Sequence, residues 1–466
     1  MTNDTKGWAP ELDPTAGPKY LQIVRALSDD VQSGALSVGE RLPTHRDLAW
    51  RLGVTVGTVS RAYAEAERRG LVVGEVGRGS YVRSGARSAA SVEMPYPAAP
   101  GLIEMGVNEP PAFLGTDICR TLLRDLSRDG HLDELLYYQE SRGRWQHRQA
   151  ARLWLADRGL ECDESRILIT CGAEHGISSA LAGLTNSGDA VVVDELTWPG
   201  TQALCGLFGL DVTGVQSDES GMLPDLMERA CVSTGAKIVY LIPTAHNPLA
   251  TTIPEERRRQ IAEIARRLDI LILEDDIYGN LIPDAPPPIA TFAPERTVYI
   301  TSMSKCVSPT ARTGFCVVPD HCLPRLLSAA RALNWMAPPL DVEMMCRAIE
   351  SGAAAEIRDT IVEEMKARHE VVHTAMKGLT YRHQGSALHI WLRLPDQWRP
   401  DQVVSLARRA GVSLSPTDIF TASGCPVPQA IRICIGGVRS REILADGLHR
   451  VAQLISGPPI TELNVA

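Results

Sequence analysis

Lys305 stands in Tyr299-Ile-Thr-Ser-Met-Ser-Lys-Cys, directly after an apolar run, and Arg312 and Gly314 follow it closely. A lysine at the end of a buried strand is placed to bond an aldehyde through its amine. Upstream segments carry the groups that such an aldehyde needs if it is borne on a pyridine ring. Asp275, in Leu273-Glu-Asp-Asp-Ile-Tyr, offers a carboxylate that would keep a ring nitrogen protonated and make the ring an electron sink. Asn247, in Thr244-Ala-His-Asn-Pro, can donate to a ring oxygen. Trp198, in Glu195-Leu-Thr-Trp-Pro-Gly, can stack on the ring. Phosphate donors are at hand too. Gly172, Ala173 and Glu174 open a helix, where free N–H groups point outward, Glu174 acting through its backbone. Ser302 and Ser304 flank the lysine, and Arg312 can give a charge-assisted fork. Singly, these are a surface lysine, an acidic loop, an Asn-Pro turn and a core tryptophan. In this order they read as a site for pyridoxal phosphate (PLP), with Lys305 as its catalytic residue.

Those residues need strand ends to carry them. Short apolar runs begin at Arg166, Ala190, Lys237, Ile270, Thr297 and Gly314, and a helix is expected at 174–185. The runs are continuous, not alternating, which predicts a mostly parallel sheet covered on both faces. Ligands then bind at the carboxyl ends of the strands.

The first eighty-odd residues follow another plan. Leu21, Val24, Leu27 and Val31 have helical spacing, closed by Gly34 and Gly39. Thr44 caps a second helix with an apolar stripe of Leu48, Ala49 and Leu52. After the Gly53 turn, Thr55 caps a third helix that turns Val59, Tyr63 and Ala66 inward and ends at Gly70. A hairpin with a glycine-rich tip follows from Leu71. Helix, turn, helix and β wing make a winged helix-turn-helix, whose second motif helix enters the major groove of double-stranded DNA. That leaves Thr55, Gly57, Thr58, Ser60 and Arg61 facing outward, Arg46 near the backbone, and Gly77 and Arg78 at the wing tip. A three-helix protein-interaction domain is the alternative.

Charge agrees with this division. The chain of 466 residues has a net charge of −9, yet residues 41–87 hold nine Arg against four acids. At 44 % apolar and 22 % charged, the composition is that of a soluble globular protein of two or three domains. No apolar stretch reaches membrane-spanning length, and no signal-peptide core is present at the N-terminus. The 11 cysteines form no CxxC pair and read as thiols in a reducing cytoplasm; no metal site is expected. Boundaries are expected at 14–83 for the DNA-binding domain and 84–100 for a Pro- and Ala-rich linker. Residues 101–466 form the large α/β domain.

The segments Gly39-Glu-Arg-Leu-Pro-Thr-His-Arg-Asp-Leu-Ala, Thr58-Val-Ser-Arg-Ala-Tyr and Gly77-Arg-Gly-Ser-Tyr-Val resemble the GntR family of bacterial regulators. The remainder resembles the aspartate aminotransferase fold over roughly 101–455, and the pairing is similar to the MocR subfamily. The first resemblance implies DNA contacts from Arg46, Thr55, Gly57, Thr58, Arg61, Gly77 and Arg78. The second maps Lys305 to the aldehyde-bonding lysine and Asp275 to the pyridine nitrogen. It places Tyr278 and Asn247 at the ring oxygen, Trp198 on the ring, and Ser302 and Arg312 at the phosphate. Arg432 maps to the arginine that grips a substrate carboxylate. Tyr137 or Tyr138 falls where the family sends a tyrosine to the partner subunit. One departure is Asn247-Pro-Leu-Ala in place of Asn-Pro-Thr. The expectation is a PLP-dependent regulator, a head-to-tail homodimer sensing PLP or an amino compound. The rivals are an active aminotransferase with an accessory DNA-binding domain, and a scaffold that has lost the cofactor.

Overall fold

The computed structural model describes residues 8–13, 17–32, 35–36, 40–68, 71–75, 79–82 and 101–457. Gly34, Gly39, Gly70, Gly77, Arg78 and the linker at 84–100 lie outside them. The chain divides into two compact units, one built on residues 1–93 and one on 94–422 with 429–466.

In the smaller unit three helices, Lys19–Gln32, His45–Leu52 and Val56–Arg68, precede an antiparallel hairpin of Val72–Glu75 and Gly79–Val82. The Thr44 hydroxyl accepts from Asp47 N at 3.2 Å, and Gly53 closes the same helix at φ 61°. The Thr55 hydroxyl accepts from Thr58 N at 3.1 Å and starts the next helix. Ile23, Val24, Leu27, Leu48, Ala49, Val59, Tyr63 and Ala66 share one core with Val72 and Val82 of the hairpin. The second and third helices and the wing are thereby fixed as one body.

The larger unit is built on a seven-stranded sheet. From one edge its order is Ile167–Thr170, Gly314–Val317, Thr297–Ser302, Leu271–Asp275, Ile238–Leu241, Ala190–Asp194 and Asp211–Val215. Gly314–Val317 runs against both neighbours, and the other six strands are parallel. Ile238–Leu241, Thr297–Ser302 and Gly314–Val317 are buried at every residue, and Leu271–Asp275 at all but its first, as continuous apolar runs require. The expected helix is Gly172–Leu184. A smaller three-stranded sheet, Tyr381–Arg382, His389–Arg393 and Ala430–Cys434, carries the C-terminal part. The short strand Ile103–Glu104 pairs with Val412–Ser413 and brings residues 105–109 over the main sheet's carboxyl edge.

Candidate cofactor pocket and nucleic-acid interface

Segments that follow strands of the main sheet deliver most of the pocket. Asp275 ends its strand and is 2 % exposed. Its Oδ2 accepts from the Tyr240 hydroxyl at 2.6 Å, while its Oδ1 is buried with no partner. Burial pushes the Asp275 carboxyl up to about 6, against the pull of the Tyr240 hydroxyl. Lys305 lies in the turn after Thr297–Ser302, and its Nζ donates to the Asn108 carbonyl at 2.7 Å. Burial draws its amine down to about 8, opposed by the nearby Glu109 carboxylate. A larger neutral fraction makes it a better nucleophile than a surface lysine.

Tyr278 is held by Asn108, and Asn247 by Arg432. The Asn108 amide donates to the Tyr278 oxygen at 2.9 Å, which leaves the phenol proton free to donate elsewhere. The same amide reaches His389 Nδ1 at 3.2 Å. His389 Nε2 donates to the His246 carbonyl at 3.1 Å, and burial pushes the ring's pKa down to about 3, so it stays neutral. Arg432 is 4 % exposed and donates to Asn247 Oδ1 at 2.7 Å, to Ser415 Oγ at 3.3 Å and to the Gly106 carbonyl. Its guanidinium lies 4.6 Å over the Phe420 ring. With Oδ1 occupied, the Asn247 amide is left as a donor. Trp198 caps the helix Pro199–Phe208, and any side chain at Gly200 would strike its ring.

The candidate phosphate end is built around glycine. Gly172 sits at φ 75°, and a Cβ there would come within 2.7 Å of the Arg312 guanidinium. A Cβ at Gly314 would strike the Gly172 backbone at 2.6 Å. Ala173 and Glu174 follow in the first helical turn, whose amides have no intrahelical acceptor. Ser302 and Ser304 are buried and bond to each other, Oγ to Oγ, at 2.7 Å. Arg312 is exposed and donates to the Cys171 carbonyl at 3.4 Å.

These residues fit PLP. The orphaned buried Oδ1 of Asp275 wants a donor, as a protonated pyridine nitrogen is. The glycine-lined cradle beside Arg312 and the helix N-terminus suits a phosphate. Tyr278 and Asn247 each hold an uncommitted donor for a ring oxygen. Tyr137 and Tyr138 stand apart from this set: both are exposed, and the ring contact of Tyr138 is with Trp335, at 5.8 Å. Among the described residues no group of His, Cys, Asp and Glu could hold a metal ion, and no helix is long and apolar enough to cross a membrane.

On the smaller unit Arg46, Thr55, Gly57 and Arg61 are exposed, and Thr58 is half-buried. Thr55 and Thr58 share a hydroxyl contact at 2.9 Å. Two side chains are more engaged than an outward helix face suggests. Ser60 Oγ meets His45 Nδ1 at 2.9 Å, and the Arg61 guanidinium lies 4.0 Å over the Tyr20 ring. Asn108, Tyr240, Glu109, Ser415 and His389 were not foreseen as parts of the pocket.

Residues 100–448 match the aminotransferase class I and II family. The chain belongs to that family. Residues 19–82 match the gntR family of bacterial regulatory proteins. The chain is 28 % identical to the HTH-type transcriptional regulator YdeF of Bacillus subtilis, over 97 % of this chain and 98 % of that protein. It is also 28 % identical to the HTH-type transcriptional regulator TauR of Rhodobacter capsulatus, over 94 % and 97 % respectively. Among solved structures it resembles an archaeal alanine:glyoxylate aminotransferase, with a TM-score of 0.71 at 21 % identity, covering 76 % of this chain and 90 % of that one. LysN of Thermus thermophilus, complexed with N-(5'-phosphopyridoxyl)-L-leucine, aligns at a TM-score of 0.67 and 19 % identity, over 76 % and 92 %. The chain therefore joins a GntR-type DNA-binding module to an aminotransferase fold, as the two resemblances imply.

Proposed function

We propose that the protein is a DNA-binding transcription regulator whose aminotransferase-like domain holds PLP at Lys305 and senses PLP or an amino compound. The observation that carries this reading is one chain with both a winged helix exposing Arg46 and Arg61 and a pocket where Asp275 and Arg432 lie near Lys305 and Tyr278, and Asn247 is held by Arg432. When bound, PLP supplies an electron-withdrawing ring to whatever amine is joined to it.

The chain's own groups divide the work. Lys305, largely desolvated, provides the amine. Asp275 holds a proton at the ring nitrogen through Oδ1. Tyr278 and Asn247 donate to the ring oxygen, and Trp198 covers a face. Gly172, Ala173, Glu174, Ser302, Ser304 and Arg312 take the phosphate. Arg432 is poised for a carboxylate of an amino-acid effector. In a head-to-tail homodimer, Tyr138 or Tyr137 would complete the partner's phosphate site. A DNA target places the protein's work in the cytoplasm.

An active aminotransferase is the less favoured reading, since catalysis has no use for a wing or for an arginine on a recognition helix. DNA affinity measured with and without PLP, and with a panel of amino acids, tests the proposal. A change in affinity on addition of PLP or an amino acid is expected. DNA binding indifferent to every ligand, alongside steady transamination, would reverse the assignment.

A further inference from the structure

Tyr240 is fully buried in the strand Ile238–Leu241, inside an apolar run where a tyrosine usually serves only as core. Its register partner on the neighbouring strand is Leu273, two residues before Asp275. The phenol therefore reaches along the sheet to the next strand's end, where its hydroxyl meets Asp275 Oδ2 at 2.6 Å. We propose that Tyr240 is the positioning residue that presents Asp275 Oδ1 to the pyridine nitrogen of PLP and sets how firmly that nitrogen keeps its proton. This rests on the PLP reading of the pocket.

The argument is one of proton accounting. A phenol has one proton, and Tyr240 gives it to Oδ2. Oδ2 is thereby filled, and Oδ1, buried and unpartnered, is the oxygen left for a ring nitrogen. Burial of Asp275 favours its neutral acid, and the Tyr240 donor opposes that by stabilising the carboxylate. Without the hydroxyl, Asp275 becomes more basic and draws the proton off the ring nitrogen. The ring then withdraws fewer electrons. The nitrogen joining Lys305 to the cofactor becomes more basic, and the pH at which the visible absorption of the bound cofactor changes moves upward. A residue that merely filled space would leave that midpoint alone.

The test uses the full-length, PLP-loaded protein. Visible absorbance is recorded against pH for wild type, for Tyr240→Phe, and for protein with 3-fluorotyrosine at position 240, which keeps the size of the ring but donates more strongly. The midpoint should rise by about one pH unit in Tyr240→Phe and fall with 3-fluorotyrosine. An unchanged midpoint in both overturns the proposal while leaving the cofactor in place. If Tyr240→Phe does not fold, the fluorinated protein decides alone, and no shift there overturns it. A wild type that takes up PLP without any visible band overturns the cofactor reading itself, and this proposal with it.

Discussion

Arg61 and Arg432 each lie over an aromatic ring, 4.0 Å from the Tyr20 centroid and 4.6 Å from that of Phe420, yet their surroundings differ. Arg61 is exposed on a recognition helix, with one long contact of 3.4 Å to the Tyr20 hydroxyl. Arg432 is enclosed, and three acceptors of the protein already hold it. The first can swing from its ring to a phosphate at little cost, and salt screens what it gains. The second sits where an unpaired group costs far more, so whatever it binds must match geometry as well as charge. The two modules use cations differently: the small unit leaves Arg46 and Arg61 exposed at its surface, and the large unit ties its polar groups into buried hydrogen bonds.

The strongest way to break this comparison is to remove the group at the centre of the pocket. Lys305→Ala should abolish the borohydride-reducible adduct with PLP altogether, read by mass spectrometry; an undiminished adduct would place the bond on another lysine. The titration of the same amine sharpens the point. With a pKa near about 8, roughly one Lys305 in ten is neutral at pH 7, and capture of PLP should slow about tenfold for each pH unit below that. The sign follows from burial: the neutral form is favoured, so capture rises with pH and levels off above 8. A rate still climbing steeply at pH 10 would mean a water-exposed lysine.

Next in size is Arg432→Ala. An amino-acid effector should lose about 2 kcal/mol or more of affinity, since its carboxylate would lie in the pocket without its fork. PLP binding and effector-free DNA binding should persist. A response to PLP alone, equal in mutant and wild type, would show that the effector carries no carboxylate read by Arg432. On the small unit, Arg46→Ala should weaken binding to all DNA sequences alike and lower the salt slope by about one. Arg61→Ala should relax specificity at one position if the arginine reads a base. Removing both without effect would reject the docking face. The smallest effect is expected from Thr44→Ala, which deletes the cap on Asp47 N and should cost the small unit about 1 kcal/mol in thermal or denaturant unfolding.

Much of this was legible in the sequence, and the exceptions have physical causes. Six strands of the main sheet are visible as continuous apolar runs because the sheet, parallel in all but Gly314–Val317, is covered on both faces. Asp211–Val215 escaped because it is an edge strand whose Asp-Val-Thr-Gly-Val buries only its last residue. Lys305, Asp275, Tyr278 and Asn247 were singled out because their chemistry recurs at strand ends; Asp275 bonds to buried Tyr240 and Tyr278 to buried Asn108. Tyr240 was hidden in its strand, since a hydrogen bond to the next strand leaves no periodic signal. Asn108 was hidden because it follows a segment without periodicity and its role runs partly through a main-chain carbonyl. Ser60 was expected to face DNA; its bond to His45 is a tertiary contact that helical spacing does not encode.

The carbonyls of Gly106 and Asn108 hold the guanidinium of Arg432 and the amine of Lys305, and both belong to the first stretch of chain after the linker. They occupy donors that the proposed ligands would use. A tethered occupant competes at an effective concentration far above that of any free metabolite. On the proposed reading, a carboxylate bound by Arg432, or an aldehyde condensing with the Lys305 amine with loss of water, would compete with these carbonyls for the same donors. On that reading, ligand affinity and the freedom of residues 105–109 would be two sides of a single exchange, and tightening that segment's hold would blunt sensing as surely as spoiling the pocket.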